Sequence, residues 1–203
     1  MLRFRSIFCK FGMTIATEGI MKKLGIIVLL AMLTTVSGLA QQIKWMSLEE
    51  ALVLQKKSPK KILMDVYTNW CGPCKMLDKN TFQNPDVVDY VNKYFYAVKF
   101  NAEGNSKVTY GGKTYSNPNY KEELVNKRNG VHQFTYYLKV NAYPTIVYFD
   151  EQGTMLSPIR GYQNPQQIEL YLKLFKEDKH KEMKTQEDFN NYFAAFVPQF
   201  KNE

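Results

Sequence analysis

The chain has 203 residues, enough for one good-sized domain with additions and short for two. With 45% hydrophobic and 23% charged residues, its composition excludes collagen-like, disordered and multi-span membrane classes. The formal charge of +8 suggests nucleic acid, but residues 1–40 carry Arg3, Arg5, Lys10, Lys22 and Lys23 against Glu18 alone. The remaining 22 basic and 18 acidic residues leave +4, with lysines interspersed among acids as on solvated helix faces, so no nucleic-acid partner is expected.

Residues 1–40 read as a targeting region. Met21-Lys22-Lys23 is a short positive segment, and Met21 is the expected true start. Leu24 to Val36 is apolar, and Ser37-Gly38-Leu39-Ala40 suits cleavage before Gln41. The apolar run falls short of the roughly 20 residues that a spanning helix needs. An exported, periplasmic address is therefore expected, with an uncleaved membrane anchor as the alternative. Residues 1–20 are either read-through upstream of Met21 or an extension of the positive segment.

From Gln41 onward the elements follow in order. Ser47 and Glu50 form a capping box that starts a helix ending before Ser58-Pro59. Ile62 to Tyr67 is a near-continuous apolar run, as in a strand buried on both faces, interrupted by the carboxylate of Asp65. Trp70 to Cys74 turns the chain, and Lys75-Met76-Leu77 continues as a helix. Asn84-Pro85 starts another, with Val87, Val88 and Val91 on its buried side. Tyr94 to Asn101 reads as a second internal strand. Residues 108–115 read as a hairpin with Gly111-Gly112 as its turn. Asn119–Arg128 and Val131–Leu138 are predicted helical. Ile146 to Phe149 and Met155 to Ile159 read as a strand pair turning at Gly153. Asn164-Pro165 begins a helix carrying Ile168, Leu172 and Phe175, and Thr185 with Asp188 caps a last helix. This order describes a mixed sheet with helices on both faces. No Gly-rich phosphate loop follows any strand.

Cys9 lies in the segment that export is expected to remove or that is never made, which leaves two cysteines, Cys71 and Cys74, for the remaining domain. They are a redox pair, half of a zinc site, or a structural disulfide. Zinc needs two further ligands. The two histidines, His132 and His180, have no ligand pattern around them, so no metal and no cofactor are expected. A structural bridge would close too short a loop to stabilise much. At a helix start the first sulfur lies beside free N–H groups and the positive end of the helix dipole. That setting favours thiolate, lowering a pKa from about 8.5 towards 7. Cys71 is the expected nucleophile, and Cys74 the resolving thiol that releases the mixed disulfide. Pro73 fixes the helix start, and Gly72 leaves room for a partner chain.

The run Ile62 to Lys75, containing Trp70-Cys71-Gly72-Pro73-Cys74, resembles the active-site strand and helix start of the thioredoxin family. The resemblance implies the thioredoxin fold: α/β, with a central mixed sheet flanked by helices. It also implies roles for three more residues. Asp65 matches the buried carboxylate that relays a proton to the resolving cysteine, and Lys99 the lysine that pairs with it. Pro144 matches the cis-proline facing the sulfurs, where the backbone of Tyr143 receives an extended substrate segment. Burial is expected to raise the pKa of Asp65, although a purely structural carboxylate stays open. Trp70 either packs beside the sulfurs or serves as ordinary packing. The resemblance spans roughly residues 45–101 and 138–178. It leaves out an inserted hairpin and helix segment at about 102–138 and an extra C-terminal helix at about 184–203. The insert holds Tyr110, Tyr115, Tyr120, Tyr136 and Tyr137 with Lys127, Arg128 and His132. It reads as scaffold, substrate-contact surface or interface, the tyrosine spacing favouring scaffold. His132 is expected to be structural. Phe193, Phe196, Val197 and Phe200 are expected to pack an apolar face back on the domain, or to form a dimer patch.

Gly72-Pro73 between the cysteines resembles the reducing members of the family. The expected function is reduction of disulfides in exported proteins, with electrons from a membrane donor. An oxidase or isomerase, or a binding or chaperone module without redox turnover, are the alternatives.

Overall fold

The computed structural model describes residues 41–202; the targeting region expected at 1–40 lies outside them. Five strands form the central sheet: β1 (Trp45–Met46), β2 (Lys61–Tyr67), β3 (Phe95–Asn101), β6 (Thr145–Phe149) and β7 (Met155–Arg160), in the order β1-β3-β2-β6-β7. β2 is parallel to β3, which is parallel to β1, whereas β6 is antiparallel to both β2 and β7. Central β2 is apolar on both faces because both are covered. Successive residues of a strand point to opposite sides. Ile62, Met64 and Val66 therefore join a core with helix α1 (Leu48–Lys57), while Leu63 joins the opposite core with α2 (Gly72–Asn80), α3 (Pro85–Tyr94) and α5 (Pro165–Lys176). By the same alternation Asp65 shares the side of Leu63, under α2.

The helix starts follow the sequence signals. Ser47 and Glu50 close their capping box, Asn84 accepts from the amides of Asp86 and Val87, and Asn164 pairs reciprocally with Gln167. The two-residue strand β1 has no periodicity to read and exists through its pairing with β3.

The insertion departs from expectation in part. The hairpin β4 (Val108–Tyr110) and β5 (Lys113–Tyr115) forms as read, with φ of +59° at Gly111 and +75° at Gly112, the left-handed pair a tight hairpin turn requires. The helix expected at Asn119–Arg128 is a single 3₁₀ turn at Glu122–Leu124. Leu124 and Val125 give it no apolar stripe to bury, and local side-chain bonds compete with the helix. Asn129 Oδ1 accepts from the Lys121 amide at 2.9 Å, and Asn117 Nδ2 donates to Gly130 O at 2.6 Å. Gly130 passes so close to Asn119 that a Cβ there would lie 2.4 Å from its carbonyl oxygen. The helix expected at Val131–Leu138 shortens to α4 (Gln133–Tyr137), because His132 is its N-cap. Fully buried His132 accepts the Phe134 amide on Nδ1 at 3.0 Å and meets Ser106 O through Nε2 at 2.8 Å. Phe134, also fully buried, gathers Tyr110, Tyr115 and Tyr137 within 5.2–5.7 Å. Most of the insert's aromatics are thus packing, as their spacing suggested.

Helix α6 (Gln186–Ala195) starts at Thr185 as read. The tail beyond it is tied down by polar bonds more than by an apolar face. The amides of Gln199 and Phe200 both donate to buried Glu169 Oε2 at 2.8 Å, and Phe200 packs on Tyr90. Phe193 and Val197 stay exposed, at 59% and 77%, so the four apolar tail residues do not turn inward together.

Candidate active site

Cys71 is the N-cap of α2. Its Sγ accepts the Cys74 amide at 3.1 Å, and Gly72 and Pro73 occupy the first helical positions. Pro73 belongs there, since its ring presets a helical φ and the amide it lacks has no partner in a first turn. The two sulfurs form a disulfide with an S–S distance of 2.08 Å. Both cysteines are buried, at 2% exposure, while Gly72 and Pro73 between them are exposed. A Cβ on Gly72 would meet nothing within 4 Å, so the chain's own packing does not demand glycine here.

The Tyr143–Pro144 bond is cis, as the resemblance implied. The turn is held by Gly161, whose amide donates to Pro144 O at 2.8 Å, and by the Thr145 hydroxyl on Ala142 O. Tyr143 meets Trp70 edge-on, with centroids 6.2 Å apart. Burial pushes its phenol up to about 12, helped by Glu103 and Tyr136.

On β2, parallel register sets Asp65 directly beside Lys99. Asp65 is 1% exposed, and Lys99 Nζ lies 3.1 Å from its Oδ2. That contact lacks hydrogen-bond alignment, and neither Asp65 oxygen has another partner among the described residues. Desolvation pushes the Asp65 carboxyl up to about 6, against the opposing pull of Lys99 and with a smaller push from Asp78. The ammonium of Lys99 is shared: it also pairs with Asp78 on α2. The rings of Trp45, Tyr67 and Phe82 surround it at 4.7, 5.3 and 5.6 Å. Burial opposes the charge of Lys99, yet its two carboxylates outweigh that and raise its pKa.

Trp70 does more than fill space. Its Nε1 donates to Glu103 Oε2 at 2.7 Å, and the same oxygen accepts the Asn129 amide at 2.8 Å. The Arg128 guanidinium lies 4.9 Å from the indole centroid, and Asn69 Nδ2 donates to Val125 O at 2.8 Å. Residues 125–129 of the insertion are therefore stapled to the residues just before Cys71. Contacts join Trp70, next to Cys71, to Tyr143 of the cis-proline turn, and join Asp65 to Lys99 and through it to Asp78 on α2. Asp78 and Glu103, single polar residues without a local motif, were not singled out from the sequence, and Arg128 was named there only among the residues of the insertion. Among the described residues no group of three or more His, Cys, Asp or Glu could hold a metal, and no helix is long and apolar enough to cross a membrane.

Fold, cis-proline and the Cys71–Cys74 pair at a helix start together define a domain of the thioredoxin type. Residues 48–176 match the thioredoxin-like domain family, and the chain belongs to it. It is 29% identical over 121 residues to the thiol:disulfide interchange protein DsbD of Pectobacterium atrosepticum, and 27% identical over 122 residues to that of Photorhabdus laumondii. Each match takes in 59% of this chain but 17% of the relative's length. A thioredoxin-fold protein from Helicobacter pylori superposes with a TM-score of 0.53 at 19% identity, covering 78% of this chain and 91% of that one, which speaks to fold alone.

Proposed function

We propose that this chain reduces disulfides in exported proteins, with Cys71 as nucleophile and Cys74 as resolving thiol. The observation that carries the reading is Cys71 capping α2, where its sulfur accepts a backbone N–H and sits at the positive end of the helix dipole. In the reduced protein the Cys71 thiolate attacks one sulfur of a substrate disulfide, forming a mixed disulfide and expelling a substrate thiolate. Asp65 takes the proton of Cys74, whose thiolate attacks Cys71 Sγ. The second substrate thiolate leaves, and the Cys71–Cys74 disulfide remains. Two electrons have passed to the substrate, so a donor dithiol must restore the enzyme. We assign that role to a membrane protein, because oxidising surroundings hold no large pool of reductant. The substrate segment lies extended beside Tyr143, flanked by Trp70, Gly72, Pro73 and Pro144. Gly72-Pro73 supports the direction, the likeness to thiol:disulfide interchange proteins supports the exchange chemistry, and the apolar run Leu24 to Val36 supports export.

The deciding experiment is the reduction potential of the Cys71–Cys74 pair in glutathione buffers. A value of about −250 mV or lower is expected; about −180 mV or higher would make oxidation or isomerisation the function. Cys71→Ser should abolish turnover, and unchanged biological activity in that variant would point to a binding module instead.

A further inference from the structure

Residues 125–129 of the insertion carry two exposed cations, Lys127 and Arg128, and of these Arg128 lies against the Trp70 ring. Arg128 is exposed, and among the described residues it has no ion-pair partner. The nearby carboxylate of Glu103 is already committed to the Trp70 indole and the Asn129 amide through one oxygen. The Arg128 guanidinium lies 4.9 Å from the Trp70 ring centroid, and among the described residues no hydrogen bond occupies its N–H edge. That edge matches a carboxylate two bonds at a time. The backbone beside it is anchored by Asn69 on Val125 O and by Glu103 on the Asn129 amide, so Arg128 extends from a fixed point next to Cys71. Val125 in the same segment, and Tyr136, near enough to Tyr143 to raise its phenol, keep apolar surface exposed, at 40% and 67%.

We propose that residues 125–129 of the insertion form an added wall of the substrate groove, in which Arg128 selects polypeptide segments bearing a carboxylate beside their reactive cysteine. The proposal rests on the Cys71–Cys74 exchange described above and names its substrate class. A segment extended along Tyr143 presents alternate side chains to either side of its backbone. An Asp or Glu flanking the cysteine can then reach the guanidinium edge over Trp70, while Val125 and Tyr136 take apolar neighbours. Glu122 and Glu123 on the preceding 3₁₀ turn keep the wider surface from being uniformly basic. Lys127 beside it adds to the local positive field, and substituting Arg128 alone separates the contact from that field.

The test uses two peptides with the same disulfide, differing in a Glu or a Lys beside the reactive cysteine. The reduced chain is mixed with the peptide disulfides, and the oxidised chain with the peptide dithiols, so either direction of turnover reports. The Glu peptide should react about two- to fivefold faster than the Lys peptide, a gain per contact in the range of exposed ion pairs, and salt should shrink the ratio. Arg128→Gln should bring the ratio near one, and Arg128→Glu should invert it. Both substitutions are at an exposed position and leave Cys71, Cys74 and Asp65 untouched. Equal rates for the two peptides in the wild-type chain would overturn the proposal while leaving the exchange chemistry standing. So would a ratio unmoved in Arg128→Glu, or a change shared equally by both peptides, which would place the effect of Arg128 on Cys71. Failure to exchange with either peptide in either direction would remove the oxidoreductase reading and the proposal with it.

Discussion

Replacing Asp65 with Asn tests whether the buried carboxylate is held in the protein at a cost to stability. The carboxyl is pushed up to about 6 from an ordinary 3.8, chiefly by desolvation. The folded state thus binds this proton more tightly than the unfolded chain does. The stability it contributes is fully present below about pH 4 and lost as pH rises through about 6. At 1.36 kcal/mol per pH unit the difference amounts to about 3 kcal/mol. Asp65→Asn carries no proton to lose, and it does not strand the ammonium of Lys99, which keeps Asp78. The variant should match the wild-type protein to within its baseline difference near pH 4, then become progressively more stable, by up to about 3 kcal/mol above pH 7. Urea unfolding of the oxidised form across this range, followed by the fluorescence of Trp45 and Trp70, measures it directly. Other titrating groups cancel in the difference between the two proteins. A difference that stays flat from pH 4 to pH 8 would show that Asp65 titrates normally, and the case for it as a proton acceptor near neutrality would fall with it.

Three further outcomes follow from particular contacts. Asp78→Asn removes a like charge and leaves Lys99 to Asp65 alone, so the Asp65 carboxyl should titrate below its wild-type position in a carbon-13 NMR titration. The acid limb of mixed-disulfide resolution should move down in pH with it. His132→Ala deletes an N-cap and a fully buried ring at once, and should cost about 2–4 kcal/mol in urea unfolding without moving the redox potential. Gly130→Ala would set a methyl 2.4 Å from the Asn119 carbonyl oxygen. A backbone shift of that kind should cost about 1–3 kcal/mol and raise proteolytic nicking within 117–130.

What the sequence made legible was local chemistry on regular elements. Trp70-Cys71-Gly72-Pro73-Cys74 reads as a dithiol helix start because the strand before it and the proline within it act over a few residues. The glycine pair at 111 and 112 reads as a turn for the same reason. Asp65 and Lys99 lie on two strands of uniform apolar pattern, where a lone charge stands out and resemblance supplies its partner. The stretch 119–128 misled because its polar residues fit a solvated helix as well as a loop. Asn117, Asn129 and Gly130 decided for the loop through bonds to backbone that no periodicity reveals. Asp78 and Glu103 were illegible for a related reason. On α2, Asp78 looks like an ordinary surface acid until β3 brings Lys99 beneath it. Glu103 looks like a loop carboxylate until the insertion folds back and sets the Asn129 amide and the Trp70 indole on one of its oxygens. Both owe their place to the extra chain between β3 and β6, or to the strand next to it. The features that set this protein apart from a plain dithiol domain therefore arise where tertiary contacts, and not local pattern, choose the partner.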